Sequence, residues 1–357
     1  MTPNDARLAI SATVDPMLGT PLGDIVTAVT VEPQTVKVSL VYPFPVGGYG
    51  PTVQALTASA LTPLGWTGRV EVELRSRITG HAAQKGMPPL PGIANIIAVA
   101  SGKGGVGKST TAANLALALS LQGARVGLLD ADIYGPSQPL MMGLAGQRPR
   151  MTAEKKLIPP SAHGVVVMSI GFLIDESQPM VWRGPMVTQA LTQLLGDTLW
   201  GELDYLIVDL PPGTGDTQLT LAQRVPVSGV VIVTTPQEIA LLDARKGLQM
   251  FKKVEVPVLG LIENMSSHIC AQCGHEDAIF GEGGGQRLAD QFDVPMLGSL
   301  PLQTTIREQA DIGAPTVIGQ PASLMALRYH DIARRTAARL ESMAAQSVFP
   351  TLSESDD

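Results

Sequence analysis

The sequence predicts an α/β protein with a mostly parallel sheet covered by helices on both faces, preceded by a small α+β domain. From residue 95 onward, apolar segments of strand length alternate with helical stretches, which is typical of a parallel sheet buried on both faces. Residues 1–80 instead mix alternating strands with short helices. The segment 81–94, rich in Pro and Gly, is predicted to link the two parts.

Composition narrows the class of protein. The chain has 357 residues, of which 45% are hydrophobic and 16% charged, as in a globular protein. Acidic residues outnumber basic ones 32 to 25, giving a net charge of −7, and aromatic residues make up only 4%. This balance argues against a general nucleic-acid binder, which would carry a basic surface and stacking platforms, so we expect no nucleic-acid partner.

Cysteine usage and hydropathy predict a cytoplasmic protein without a membrane partner. Two cysteines in a chain of this size exclude a disulfide framework. The first residues show no apolar signal segment, and the longest apolar runs have strand length. We therefore expect a reduced, soluble protein.

The small domain, residues 1–80, is predicted to contain two helices and three strands. A short helix before a Pro and a helix of small apolar residues are expected at 10–17 and 52–61. Segments rich in β-branched residues or alternating in polarity are expected to form strands at 23–31, 35–42 and 69–74.

The larger domain is predicted to span 95–348, with an acidic tail at 349–357. Its apolar runs predict strands at 96–100, 126–129, 165–170, 205–208, 230–233 and 258–262. Helices are expected at 109–122, 286–292 and 322–345.

A glycine-rich loop follows the first strand of the larger domain and opens a helix. It reads Gly102-Lys-Gly-Gly-Val-Gly-Lys-Ser109 and satisfies the G-x-x-x-x-G-K-[ST] pattern in the context that confirms it. Glycines let backbone N–H groups surround phosphate oxygens, and the helix N-terminus adds positive partial charge. Lys108 is predicted to reach the β- and γ-phosphates, Ser109 to bind Mg²⁺ and Thr110 to contact the α-phosphate. The larger domain is thus predicted to be a P-loop NTPase.

The predicted ATP site therefore consists of the loop and the start of its helix. Its residues are Gly102, Lys103, Gly104, Gly105, Val106, Gly107, Lys108, Ser109 and Thr110. A P-loop needs only one lysine, and Lys103 is a second one inside this loop. It is either a solvated loop residue or a further phosphate-directed charge, one that could cross to a partner subunit as an arginine finger does.

Aspartates at two strand ends are predicted to complete the site. Asp209 ends an apolar strand in the Walker B arrangement, which holds Mg²⁺ or its water, and Gly213 is placed to offer a backbone N–H to the γ-phosphate. Asp132 is placed to orient the attacking water. Asp130 could serve Mg²⁺ or simply cap a turn.

Both cysteines lie in one C-x-x-C motif, Cys270 to Cys273, flanked by His268 and His275. One pair offers two ligands, whereas a closed zinc or iron–sulfur site usually needs four. Two chains related by a two-fold axis would supply four thiolates, which suits a shared [4Fe–4S] cluster. Zinc bound with the histidines, a redox dithiol and two incidental thiols are the alternatives, with cluster binding favoured.

These motifs resemble the Mrp/ApbC/NBP35 family of iron–sulfur P-loop ATPases with a deviant Walker A loop. The resemblance lies in 97–111, in Leu129-Asp-Ala-Asp-Ile-Tyr-Gly-Pro-Ser-Gln-Pro139 and in Asp209-Leu-Pro-Pro-Gly-Thr-Gly-Asp216. Arg183-Gly-Pro-Met186, Glu263-Asn-Met265 and 280–285 extend it, so that it covers roughly residues 92–320. The N-terminal part resembles the small MIP18-type domain, although the loop 42–46 lacks the Cys that this domain often carries.

The resemblance implies a homodimer with ATP near its two-fold axis. It implies that Lys103 acts across the interface, that Asp132 is the switch I aspartate and that Asn264 contacts the adenine. It also implies that Cys270 and Cys273 bridge a cluster between subunits.

We therefore expect an ATP-dependent iron–sulfur carrier that takes a labile cluster from a donor scaffold and passes it to apo-proteins. ATP turnover is expected to be slow, since a switch needs a long-lived ATP state. A MinD/ParA-like positioning ATPase is the main alternative. A member of that class that binds membranes would need a basic amphipathic C-terminal helix, whereas this sequence ends in acidic residues. A zinc-binding P-loop ATPase is the third interpretation.

Overall fold

The computed structural model describes residues 1–81, 87–173, 184–270 and 272–347. Contacts between Cα atoms divide the chain into two compact units, residues 1–79 with those from 337 onward, and residues 80–336. The first strand of the larger unit begins at Ile93, within the segment predicted as a linker. The predicted acidic tail lies outside the described residues.

The smaller unit combines a three-stranded sheet with two helices. Strands β1 and β2 are antiparallel, whereas β2 and β3 are parallel and are joined through helix α2. The elements are α1 (Pro3–Ser11), β1 (Val26–Val31), β2 (Thr35–Tyr42), α2 (Gly50–Leu61) and β3 (Arg69–Ser76). The mixed α and β order predicted for this part is present.

The helix predicted at 10–17 was misplaced, because α1 spans Pro3–Ser11. Thr2 and Asp5 form a capping box, in which the Asp5 N–H donates to the Thr2 hydroxyl at 3.2 Å and the Thr2 N–H donates to the Asp5 carboxylate at 2.9 Å. A proline at the first helical position fits the same start. The capping signal is Thr2-Pro-Asn-Asp5, which places the helix start at the very beginning of the chain.

The residues after α1 form a turn around a buried carboxylate. Asp15 accepts the N–H groups of Met17 and Leu18 at 2.8 and 3.0 Å. It also accepts the hydroxyl of Tyr42 at 2.8 Å and that of Tyr49 at 3.1 Å. An aspartate that bonds to the backbone two residues later favours a turn over a helix, which explains why α1 does not continue.

The larger unit alternates strands and helices along the chain. Its first half contains β4 (Ile93–Ala100), α3 (Lys108–Leu121), β5 (Val126–Asp130), α4 (Gln138–Met141), β6 (Arg150–Met151), β7 (Leu157–Ile158), β8 (Ser161–Ala162), β9 (Val165–Ser169) and α5 (Gly184–Asp197). Its second half contains β10 (Leu203–Asp209), α6 (Asp216–Arg224), β11 (Gly229–Thr234), α7 (Glu238–Lys253), β12 (Val258–Ile269), β13 (Glu276–Asp277), α8 (Gly284–Phe292), β14 (Met296–Leu302), α9 (Thr304–Asp311), α10 (Thr316–Gly319) and α11 (Leu324–Ser347).

Nine strands of the described residues form the main sheet, in the order β13-β12-β11-β4-β10-β5-β9-β8 with β14 beside β12. The pairs β12–β11, β11–β4, β4–β10, β10–β5, β5–β9 and β12–β14 are parallel, and the short β13 and β8 are antiparallel. The mostly parallel sheet and each of its predicted strands are therefore confirmed.

The core of this unit lies around the central strands and α3. Strands β5, β10 and β11 are buried almost throughout, and residues 111–119 of α3 are all buried. A helix buried on all sides needs no polar stripe, which agrees with the small apolar residues of its sequence. No helix in the described parts of the chain is both long and apolar enough to cross a membrane.

Candidate functional site

The glycine-rich loop joins the carboxyl end of β4 to the N-terminus of α3, as predicted. Gly105 and Gly107 have φ values of +80° and +82°, a left-handed conformation that side chains disfavour. A Cβ on Gly102 would lie 2.2 Å from the backbone carbon of Asp243 on α7. The glycines therefore allow both the turn of the loop and its close approach to α7.

Asn264, at the middle of β12, holds the same loop. Its side-chain Nδ2 donates to the carbonyl of Val106 at 2.8 Å, and a Cβ on Gly107 would lie 2.1 Å from this nitrogen. Only a glycine leaves room for the amide. The contact fastens β12 to the phosphate loop, a role that the sequence did not predict, while the expected contact with adenine stays a prediction.

Lys108, Asp209 and Asp132, each of which the sequence predicts to act in the nucleotide site, lie close together. The Lys108 ammonium, 6% exposed, forms an ion pair with the fully buried carboxylate of Asp209 and lies 3.8 Å from that of Asp132. Its Nζ also lies 3.3 Å from the hydroxyl of Ser109. The structure thus gathers one cation, two carboxylates and a hydroxyl at the start of α3.

Gln138, the first residue of α4, also belongs to this cluster, and no sequence motif indicates it. Its side chain is completely buried, and its Nε2 donates to Asp209 at 2.9 Å and to the carbonyl of Ser109 at 3.0 Å. A glutamine eight residues after the end of β5 carries no recognisable signal by itself. Only the path of the chain after that strand reveals its place.

Asp130 shapes the loop that carries Gln138. Its carboxylate accepts the N–H groups of Asp132, Ser137 and Gln138 at 3.0 to 3.2 Å and the hydroxyl of Ser169 at 3.0 Å. Burial, followed by the nearby charge of Asp209, raises the pKa of Asp130 to about 7. Of the two roles considered for Asp130, these contacts favour the structural one.

The environment of Asp132 suits an acid–base group. Burial raises the pKa of this carboxyl, and the Lys108 ammonium opposes the shift. Asp132 is half-buried, so its carboxylate can reach an incoming water more readily than the enclosed Asp130.

Gly213, in the loop after β10, and Lys103, in the phosphate loop, are the remaining residues predicted to contact nucleotide phosphates. The Gly213 N–H donates to the carbonyl of Ser101 at 3.0 Å, so a contact with phosphate would require this bond to open. The hydroxyl of Ser101 in turn donates to the carbonyl of Lys103 at 2.9 Å. Within the described ranges the half-buried Lys103 side chain forms no ion pair, which leaves it able to bind an anion.

The donor set fits the predicted Mg²⁺ ion. Ser109, Asp209 and Asp132 bring hydroxyl and carboxylate oxygens to one place, and Mg²⁺ prefers oxygen ligands and retains several waters. With Mg²⁺ bound, the ion would neutralise phosphate charge beside Lys108.

The cysteines lie at the tip of the hairpin formed by β12 and β13, where His268 pairs with Asp277. The Cys270 N–H donates to the carbonyl of His275, and the Gly274 N–H donates to the carbonyl of Cys270, both at 2.9 Å. Cys270 is half-exposed, Cys273 is exposed, and both are free thiols. The turn therefore presents the two sulfur atoms at the surface.

Local hydrogen bonds favour the thiolate at this tip. The N–H of Cys273, the N–H of Gln272 and the Cys273 thiol all lower the pKa of Cys270. A thiolate is the form that binds metal. The described residues contain no group of three His, Cys, Asp or Glu side chains able to hold a metal ion.

One strand connects the two predicted sites. Asn264, which holds the phosphate loop, and Cys270 are six positions apart along β12 and its turn, at most roughly 20 Å for an extended strand. Between them Met265 has a φ of +56°, and the pairing of β12 with β14 shifts register between Asn264 and His268. Such an irregularity changes the direction of a strand, here between the residue that holds the phosphate loop and the cysteines.

Comparison with known proteins identifies relatives of this chain. Residues 92–337 match the family model described as ParA, the NUBPL iron-transfer P-loop NTPase. The iron–sulfur cluster carrier protein of Pseudomonas fragi is 60% identical over 275 residues, 77% of this chain and 96% of that protein. The iron–sulfur cluster transfer protein NUBPL of Mus musculus is 52% identical over 263 residues, 72% of this chain and 82% of that protein.

A solved structure supports the same fold. The nucleotide-binding protein of Archaeoglobus fulgidus in complex with ADP is 40% identical, with a TM-score of 0.55, and the match covers 62% of this chain and 87% of that one. The predicted P-loop NTPase fold is thereby confirmed.

Proposed function

The chain belongs to the NUBPL iron-transfer P-loop NTPase family, and from this membership we propose that it is an ATP-dependent iron–sulfur cluster carrier. The observation that supports the proposal is that one strand and the turn after it connect the two sites. Asn264, at the middle of β12, holds the phosphate loop, and the turn that follows the strand carries the thiols. Nucleotide binding at the loop can therefore change how tightly the thiols bind the cluster.

We assign the nucleotide chemistry to the cluster around Lys108. The loop 102–110 would hold the phosphates, with Gly213 beside the γ-phosphate and Asn264 beside the adenine. Ser109 and Asp209 would hold Mg²⁺, and Asp132 would orient water. Lys108 must exchange its ion pair with Asp209 for a phosphate, a change of partner that suits a slow, switch-like hydrolase.

We assign the cargo to Cys270 and Cys273. Each chain offers two thiolates, so two chains would complete the four ligands of a shared [4Fe–4S] cluster. The carrier is then a homodimer in which Lys103 reaches the partner subunit. Its partners are a donor scaffold and apo iron–sulfur proteins, and two free thiols agree with a reducing cytoplasm.

The carrier function is favoured over the two alternatives. A positioning ATPase of the MinD/ParA kind would use the same phosphate loop but has no need for a surface C-x-x-C turn. A zinc-binding ATPase needs further ligands, and the described residues bring no third His, Cys, Asp or Glu to the thiols.

The proposal is tested by anaerobic reconstitution with iron and sulfide. We expect about two irons per chain and an assembly of twice the 37.5 kDa chain mass. The variant Cys270→Ala/Cys273→Ala should lose both the iron and the dimer while still binding ATP.

The variant His268→Ala/His275→Ala is the matched control and should retain the iron. Iron binding that survives the removal of both cysteines would refute the carrier proposal. One zinc per chain, lost in the histidine variant, would establish the zinc-binding alternative instead.

A further inference from the structure

One polar group in the nucleotide site has no role in the proposed mechanism. The Oε1 atom of Gln138 is inaccessible to solvent and has no hydrogen-bond partner among the described residues, while the Nε2 atom of the same amide makes two bonds. Buried acceptors in proteins are almost always paired with protein or ordered water. An unpaired oxygen beside Asp209 therefore suggests a donor that binds there.

The surroundings of Gln138 hold its amide in place. Its Nε2 bonds tie the carboxyl end of β10, through Asp209, to the first turn of α3, through Ser109. Its own backbone N–H donates to the buried carboxylate of Asp130 at 3.1 Å. The residue is thus held through its backbone and its side-chain amide, and the amide cannot turn away without breaking two hydrogen bonds.

The side-chain amide of Gln138 contacts Ser109 and Asp209, the two residues proposed to hold Mg²⁺. Protein-bound Mg²⁺ keeps several of its waters, and these waters are hydrogen-bond donors. Groups that orient metal ligands affect metal affinity strongly although they do not touch the metal.

We propose that Gln138 is a positioning residue for the Mg²⁺ that accompanies ATP. Its Nε2 fixes the orientation of the Asp209 carboxylate, and its Oε1 accepts a hydrogen bond from a metal-bound water. The inference rests on the proposed nucleotide site and is independent of cluster transfer.

Gln122 provides a matched control at the far end of α3, the helix whose first turn Gln138 contacts. It follows the last residue of α3, is 3% exposed, and its Oε1 also has no hydrogen-bond partner among the described residues. Its Nε2 contacts the ring and the carbonyl of His330 and no carboxylate. It lies fourteen positions from Lys108, roughly 20 Å along the helix.

The test measures the affinity for a fluorescent, non-hydrolysable ATP analogue with Mg²⁺ and with EDTA. Gln138→Met keeps the length of the side chain and removes both polar atoms. We expect it to reduce the Mg²⁺-dependent gain in affinity about tenfold and to leave the affinity in EDTA unchanged. Gln122→Met should behave as wild type in both conditions.

Two outcomes would overturn the inference. One is a Mg²⁺-dependent gain in affinity of Gln138→Met equal to that of wild type. The other is an equal loss of affinity with and without Mg²⁺, which would show that Gln138 shapes the nucleotide pocket without acting on Mg²⁺. If Gln138→Met does not fold, Gln138→Asn is used, because its shorter amide cannot reach the same partners and predicts the same loss. A wild-type chain that binds no nucleotide would instead refute the proposed site itself.

Discussion

At the scale of single residues, the most consequential contact is the ion pair between Lys108 and Asp209. Both groups are almost completely enclosed, and Gln138 occupies the second oxygen of the carboxylate. Removing one member of a buried pair leaves the other charge without compensation, which costs far more than the pair contributes as a unit. Lys108, which we propose to bind phosphate, therefore compensates the charge of Asp209 in the nucleotide-free chain.

Lys108→Met should consequently lower the free energy of unfolding of the nucleotide-free chain by about 3 kcal/mol. Urea denaturation measures the loss. The double variant Lys108→Met/Asp209→Asn removes the stranded charge as well and should recover part of the stability. A single variant as stable as wild type would show that the pair is not formed in solution.

The lowered pKa of Cys270 predicts how its alkylation depends on pH. Because hydrogen bonds stabilise the thiolate, it persists to lower pH than an ordinary thiol does, so the pH of half-maximal reaction with iodoacetamide lies lower. Cys273→Ala removes the thiol donor and should move that midpoint upward, as followed by mass spectrometry of the Cys270 peptide. Cys273→Ser retains a donor and should move it less, and an unchanged midpoint in Cys273→Ala would contradict the contact.

At the scale of elements, β12 relates the two sites. Its parallel pairing with β11 and β14 anchors the first part of the strand in the sheet, and its last part continues into the hairpin with β13. The register shift and the left-handed Met265 separate these parts. The proposed coupling would run from the Asn264 contact along this strand to the turn that carries Cys270.

Two glycines of the phosphate loop separate the effect of this contact from that of backbone strain. Gly105→Ala and Gly107→Ala both force an alanine into a left-handed conformation, but only the second places a Cβ against Asn264, since nothing lies within 4 Å of the first. We expect Gly107→Ala to be the less stable by about 1 kcal/mol, the worth of the displaced hydrogen bond to Val106.

Chemical denaturation of both variants checks this difference. In an Asn264→Ala background the two glycine substitutions should cost the same, because the clash and the hydrogen bond are both absent. A difference that persists in that background would place its origin elsewhere in the loop.

At the scale of the whole molecule, the proposed chemistry belongs to one of the two compact units. Each residue assigned to nucleotide, Mg²⁺ or cluster lies within residues 80–336. The smaller unit has its own core, in which the rings of Tyr42, Phe44 and Tyr49 pack with centroids 5.1 to 6.0 Å apart. Its MIP18-type resemblance stays a prediction.

Because one chain offers only two thiolates, the cluster site is expected to be complete only in the dimer.

The sequence by itself determined the features that depend on short stretches of chain. The parallel sheet followed from apolar runs, the phosphate loop from one eight-residue pattern, and the closeness of the two cysteines from a single C-x-x-C. In these cases backbone freedom, hydrogen-bond donors and apolar burial act within a few neighbouring residues. Local pattern is therefore sufficient evidence for them.

Only the tertiary structure decided which side chains meet across the fold. Gln138 and Asp209 are 71 positions apart, and Asn264 and Val106 are 158 apart, so no local spacing indicates either contact. The extension of β12 to Ile269 likewise depends on pairing with β13 and β14. Such contacts form because the parallel strands end at one edge of the sheet, where loops distant in sequence converge.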